Sequence, residues 1–171
     1  MKRMPQRSSI AVLALAALPW TAVWSDSVRM PAQVPAAYRQ ECGSCHLAYP
    51  PSLLPAASWQ RLMGGLERHF GTDASLDPAT VQSLAGWLQA HAGTDRRVTA
   101  APPEDRITRA AWFERKHRQV DDPRVWRHAS VKSAANCAAC HTQAEQGRFD
   151  EHSLTFPRGL DERFRRAFLD D

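Results

Sequence analysis

The sequence predicts a mostly α-helical chain of 171 residues arranged as two small units. Three observations carry this. Apolar residues recur at helical spacing in several segments, and nowhere do they alternate as half-buried strands require. A stretch of high charge with a Pro-Pro pair, "GTDRRVTAAPPEDR" at 93–106, separates an N-terminal half from a C-terminal half. The only four cysteines fall in two copies of one pattern, "CGSCH" at 42–46 and "CAACH" at 137–141, one in each half.

The chain opens with a basic start (Lys2, Arg3, Arg7), an apolar run at 10–18, and small residues Val23 and Ser25 at cleavage-like spacing. This order reads as a secretory signal peptide over 1–25, cut near Ser25, and places the mature chain in the periplasm. The run is shorter than the ~20 apolar residues that cross hydrocarbon, and Pro19 ends it. The leader holds three basic residues and no acidic one. The net charge of +4 is therefore largely its contribution, and no basic patch points to nucleic acid.

The remaining ~146 residues suffice for one compact body or two very small ones. The N-terminal unit is expected over 26–93. A short helix enters the first motif, and the Pro-rich loop "AYPPSLLP" follows it. A helix over 57–71 is expected next, with Ser58 as its N-cap, Trp59, Leu62, Met63, Leu66 and Phe70 at helical spacing, and Gly71 as its stop. In "DPATVQSLAGWLQAHAG", Asp77 caps a further helix, Pro78 takes its first turn, and Val81, Leu84, Ala85 and Leu88 form its buried stripe. Residues 94–106 are the linker. The C-terminal unit, 107–171, begins with a helix in "RITRAAWFERKHRQV" capped by Thr108, with Phe113 and His117 on one face. "PRVWRH" reads as a loop, and "FPRGLDERFRRAFLDD" as a final helix with Leu160, Phe164 and Phe168 on one side. The motif comes late in this unit, after its first helix, so the unit is no tandem copy of the first.

Thiols in an exported chain are expected to be paired, ligated or alkylated. Three chemistries can use Cys-X-X-Cys. A redox disulfide follows a strand in a βαβ unit, and no such unit is visible. Zinc draws on clustered ligands, and the long stretch between Cys45 and Cys137 makes a poor zinc module. Covalent attachment of c-type haem alone explains the adjacent histidine: the thiols add to the two haem vinyl groups, and the next imidazole reaches the iron from one face. Cys42, Cys45, Cys137 and Cys140 are then the attachment points for two haems, with His46 and His141 as iron ligands. A helix entering the motif and a closing helix with an aromatic residue make the first unit resemble a trimmed class I cytochrome c. Haem macrocycles supply core that the apolar side chains do not, so the haem-free chain is expected to be largely unfolded.

The group on the other face of each iron sets the function. Of four methionines, Met1 and Met4 leave with the leader and Met30 precedes the first motif, so only Met63 is a serious candidate, and it cannot serve two irons. Histidine is better supplied. His69 lies on or beside the apolar stripe of its helix and is preferred over Met63, which then fills core. His117, sharing a face with Phe113, is preferred for the second iron. His128 is its main rival. His91, in the last turn of its helix, is read as structural because the helix dipole favours it there. His152 is read as solvated. Trp112, Phe113 and Trp126 are expected against the second haem. Arg39, Arg61 and Arg106 are candidate partners for haem propionates.

Four stretches together, "YRQECGSCHLAYPPSLLP", "SWQRLMGGLERHFGTDASLD", "RITRAAWFERKH" and "VKSAANCAACHTQAEQGRFDEHS", resemble the small periplasmic dihaem cytochromes c, the DHC family. The resemblance covers nearly all of the mature chain except the C-terminal helix. It implies two covalent haems with bis-histidine ligation, through His46 and His69 for the first and His141 and His117 for the second. It implies an electron carrier rather than an enzyme. It also implies an oxygen-binding monohaem cytochrome c of the SHP type as partner and a membrane cytochrome b as donor. Rival functions are an electron-transfer subunit of a periplasmic reductase complex, a dihaem peroxidase, which needs one open iron, and a haem-based sensor.

Overall fold

The computed structural model describes residues 28–120 and 122–168; the expected leader lies outside them. The described chain is helical and irregular. It contains no strand, only two isolated bridges, His69 with Thr72 and His141 with Leu154. Among the described residues, no helix is long and apolar enough to cross a membrane.

A π-helical turn, Tyr38–Cys42, delivers the chain into the first motif. Such wide turns recur at functional sites because they re-aim a side chain without ending the helix. The Pro-rich loop follows. It holds a 3-10 turn at Pro51–Leu53 and buries Leu53 and Leu54.

Helix α1, Ala56–Met63, starts after Pro55, which has extended backbone and supplies no side-chain cap. Ser58 is therefore not the N-cap: it lies one turn in and is fully buried. The helix is also shorter than the periodicity suggested. Its C-cap is Gly64, and Gly65 follows, two residues whose conformational freedom makes continued helix unfavourable. A separate 3-10 turn, Leu66–Arg68, then carries the chain to His69. Helix α2, Pro78–Ala90, matches its sequence signals: the Asp77 side chain accepts from the Ala79 and Thr80 amides, and Pro78 occupies the first position.

Helices α1 and α2 pack on each other. Tyr38, Leu54, Trp59, Met63, Leu84 and Leu88 form the core between them. Trp59 donates its indole N–H to the Pro51 carbonyl at 2.7 Å, fastening α1 to the loop beneath it. Burying six such side chains at roughly 1.5–3 kcal/mol each is the main apolar contribution to this half of the molecule.

Segment 94–102 contains no helix, although Val98 is buried. Asp105, in the 3-10 turn Pro103–Asp105 that follows, returns to α1 and accepts two hydrogen bonds from Arg61, at 2.8 and 2.6 Å. A 3-10 turn, Ile107–Arg109, precedes α3, Ala111–Lys116, whose N-cap is Ala110 rather than Thr108. The expected loop "PRVWRH" contains a short helix instead, α4, Pro123–Arg127. The Asp122 side chain accepts from the Arg124 amide, and Pro123 opens the first turn. Asp-Pro is the same start signal that marks α2, and it outweighs the shortness of the apolar pattern.

The final segment forms a 3-10 helix, Glu162–Phe168. It closes a small second cluster of Val125, Leu160 and Phe164, with Val120, Phe156 and Phe168 against it. The N-terminal segment also reaches the C-terminal half. Gly147 is buried and left-handed at φ 73°, and a Cβ there would lie 2.7 Å from the Met30 amide nitrogen.

Candidate functional site

Two histidine pairs dominate the geometry. Cys42 ends the π-helical turn, and Cys45 and His46 follow on the next turn. His46 Nδ1 lies 2.7 Å from the Leu47 carbonyl, so it donates there and leaves Nε2 free. Across from it stands His69, delivered by the turn after Gly65. The two ring centroids are 6.1 Å apart and the planes 24° from parallel. His69 is half-buried, and burial, His46 and Arg106 in that order hold its pKa below the usual imidazole range.

The second motif begins on a 3-10 turn, Cys137–Ala139. The His141 amide donates to the Cys137 carbonyl at 2.8 Å, closing the turn that carries both thiols and the imidazole. A returning segment fastens it. The Thr155 amide donates to the Cys140 carbonyl at 2.8 Å, and the Thr142 amide to the Ser153 carbonyl at 3.1 Å. His117, the C-cap of α3, faces His141 with ring centroids 6.2 Å apart and planes at 78°. Phe113 stacks on His117 at 4.0 Å, as a four-residue helical step requires. His117 Nδ1 donates to the Phe113 carbonyl at 2.9 Å, so here too Nε2 is the free nitrogen. Burial holds the pKa of His117 low. Burial and His117 hold that of His141 near 4. Trp126 lies edge-on to His117 at 5.8 Å, and Phe149 edge-on to His141 at 5.5 Å.

A group that binds both rings of each pair must fit between them. Two metal–imidazole bonds of about 2 Å, plus about 1.2 Å from each nitrogen to its ring centre, separate two axial imidazoles by about 6.4 Å. The observed 6.1 and 6.2 Å match this within a few tenths of an ångström. The Nδ1 atoms of His69 and His141 are buried without a hydrogen-bond partner, unlike those of His46 and His117. No disulfide joins any of the four cysteines, which leaves both pairs open to covalent attachment. Among the described residues no three His, Cys, Asp or Glu side chains converge into a metal cage, so the zinc reading has no geometry to support it. The arrangement fits a flat metal macrocycle clasped between opposed imidazoles and anchored by a cysteine pair.

The other candidates stand elsewhere. Met63 is buried in the core between α1 and α2. His91 is exposed, with Nδ1 2.9 Å from the Trp87 carbonyl one turn back. His128 Nδ1 accepts from the Ser130 amide at 3.2 Å, which places the ring proton on Nε2. His152 is exposed on a 3-10 turn. A cavity of about 470 Å³ borders His69 and is lined by Arg61, Leu62, Phe70 and Arg106. Arg106 pairs with Glu104 at 3.0 Å and lies over the Phe70 ring at 4.2 Å, while Arg39 lines a separate hollow with Trp87 and His91. Phe70 is itself left-handed at φ 51°. That conformation costs a bulky residue of order 1 kcal/mol. Sequence reading did not single out Phe149 or the 153–155 clasp. "RFDEHS" carries no periodicity that would mark a segment folding back on a motif.

No curated protein sequence matches the chain significantly. Among solved structures, a diheme cytochrome type c from Shewanella baltica OS155 is 39% identical, covers 73% of this chain and 98% of its own, and superposes with a TM-score of 0.63. DHC purified from Rhodobacter sphaeroides is 44% identical, with coverage of 68% and 98% and a TM-score of 0.59. The family model for dihaem cytochrome c matches residues 38–149, a span holding both motifs and both histidine pairs. The chain belongs to the DHC family of dihaem cytochromes c and carries two c-type haems.

Proposed function

We propose that the chain is a periplasmic carrier of single electrons in which both irons are ligated by two histidines. His46 and His69 serve the first haem and His141 and His117 the second. Cys42 with Cys45, and Cys137 with Cys140, form the thioether links. One observation supports this above the rest: both histidine pairs stand at the axial spacing, each beside a cysteine pair. When bound, each haem supplies a one-electron couple whose potential depends on axial ligand, burial and hydrogen bonding. The polypeptide supplies the rest. Leu47 and Phe113 carbonyls hold the His46 and His117 rings by their Nδ1–H groups, fixing tautomer and orientation. Phe113, Trp126 and Phe149 exclude water around the second pair.

Export follows from the leader, and the halves 26–93 and 107–171 each hold one haem. The resemblance favours an SHP-type monohaem cytochrome c as acceptor and a membrane cytochrome b as donor. Low-temperature EPR of the purified holoprotein tests the ligation. Two low-spin ferric signals are expected, one lost in His69→Ala and the other in His117→Ala. Spectra unchanged by both substitutions would refute it. Stopped-flow mixing of the reduced protein with an SHP-type cytochrome tests the partner: no electron transfer at micromolar concentrations would remove it.

A further inference from the structure

Tyr49 lies three residues past His46, and it touches both haem motifs. Its ring stacks on the His46 imidazole, with centroids 5.0 Å apart and planes within 20°. Its hydroxyl donates to the Ala135 carbonyl at 2.6 Å, across 86 positions of sequence. Ala135 stands two residues before Cys137, and its carbonyl is 3.7 Å from the Cys137 sulfur. The Ala135 amide is held in turn by the Ser133 hydroxyl at 3.0 Å. Tyr49 is anchored from behind as well: its own carbonyl accepts from the Tyr38 hydroxyl at 2.6 Å, and Tyr38 is 1% exposed against Trp87.

We propose that Tyr49 is a positioning residue that joins the two haem-attachment loops and fixes the ring orientation of His46. One end of the side chain leans on the first motif, and the other end grips the backbone that leads into the second. A phenol is rigid, with two side-chain torsions, so the separation of the loops is set by its length rather than by a flexible contact. Stacking restrains rotation of the His46 imidazole about its bond to a metal, while the Leu47 carbonyl restrains its tilt. The His46 half of this inference rests on His46 being an iron ligand; the loop-joining half does not.

The test uses holoprotein carrying Tyr49→Phe and Tyr49→Leu. Tyr49→Phe keeps the ring and removes one hydrogen bond. Amide exchange over 133–137 should accelerate about fivefold, the local effect of losing a bond of about 1 kcal/mol, while exchange in α2 stays at the wild-type rate. Tyr49→Leu removes the stack as well. The EPR g values of the first haem should then shift while those of the second hold, and Tyr49→Phe should keep both signals at wild-type positions. Unchanged exchange over 133–137 in Tyr49→Phe overturns the tie. Unshifted g values in Tyr49→Leu overturn the orienting role. If wild type itself shows no bis-histidine signals, the ligation reading fails, and the exchange measurement still decides the tie. A Tyr49→Leu protein that does not fold leaves the Tyr49→Phe arm to decide the loop-joining, and Tyr49→Met, which also removes the stacking ring but fills the space with a flexible side chain, to decide the orientation by the same g-value criterion.

Discussion

Substituting alanine for Gly147 should destabilise the protein far more than the same change at Gly159, and the pair isolates one contact. Both glycines are left-handed, at φ 73° and 79°. An alanine in that region costs roughly 1–2 kcal/mol. At Gly159 that is the whole expected effect, because a Cβ there meets nothing within 4 Å. At Gly147 the new Cβ would lie 2.7 Å from the Met30 nitrogen and 3.3 Å from two backbone atoms of Arg29. These are main-chain atoms and cannot rotate away. Forcing them apart adds a further ~1–3 kcal/mol, the usual range for overpacking. In a chain of 171 residues, ~1 kcal/mol corresponds to about 2–4 °C in Tm. Gly159→Ala should lower Tm by about 2–8 °C, and Gly147→Ala by about twice as much. Thermal melts of the two holoproteins, followed by near-UV circular dichroism, make the comparison. Equal shifts would show that the N-terminal segment does not bear on Gly147 in solution.

Four other outcomes are expected. His91→Ala and His128→Ala should leave both low-spin EPR signals in place, since one ring turns to Trp87 and the other to Ser130. Phe113→Ala should cost about 3–5 kcal/mol by denaturant titration, as for a buried aromatic, and broaden the signal of the second haem alone. The two haems should be separable by EPR: imidazole planes at 24° lift the degeneracy of the iron dπ orbitals more than planes at 78°, so the second haem should show the more anisotropic signal. The Asp122 carboxyl is held near 2 chiefly by hydrogen bonds from Arg124. A depressed carboxylate stabilises above its unfolded pKa and loses that contribution as protonation sets in, here as pH falls from about 4 toward 2. Asp122→Ala should lower Tm at neutral pH and show a smaller further loss across that acid window.

What the sequence could show depended on the range of the interaction. Local chemistry was readable: Asp77-Pro78 marks the start of α2, and the step from Phe113 to His117 predicts their stack. His69 was singled out for a reason the structure replaces. The apolar spacing runs unbroken through Gly64 and Gly65, but the backbone does not, and a turn brings His69 opposite His46. The same Asp-Pro signal stands before α4, in a segment the sequence reads as a loop. Contacts between distant residues, such as Tyr49 with Ala135 and Thr155 with Cys140, leave no periodic trace. Each depends on where two loops end up, which is decided by the whole fold.

The clasp formed by residues 153–155 has a bearing on biosynthesis. Until the chain has folded, the stretch 153–155 is not seated on the second Cys-X-X-Cys-His, so there is an interval in which both sulfurs are unbraced. Ligation machinery working in that interval meets a pliant substrate; once Thr155 has seated on Cys140, the same thiols sit in a finished loop.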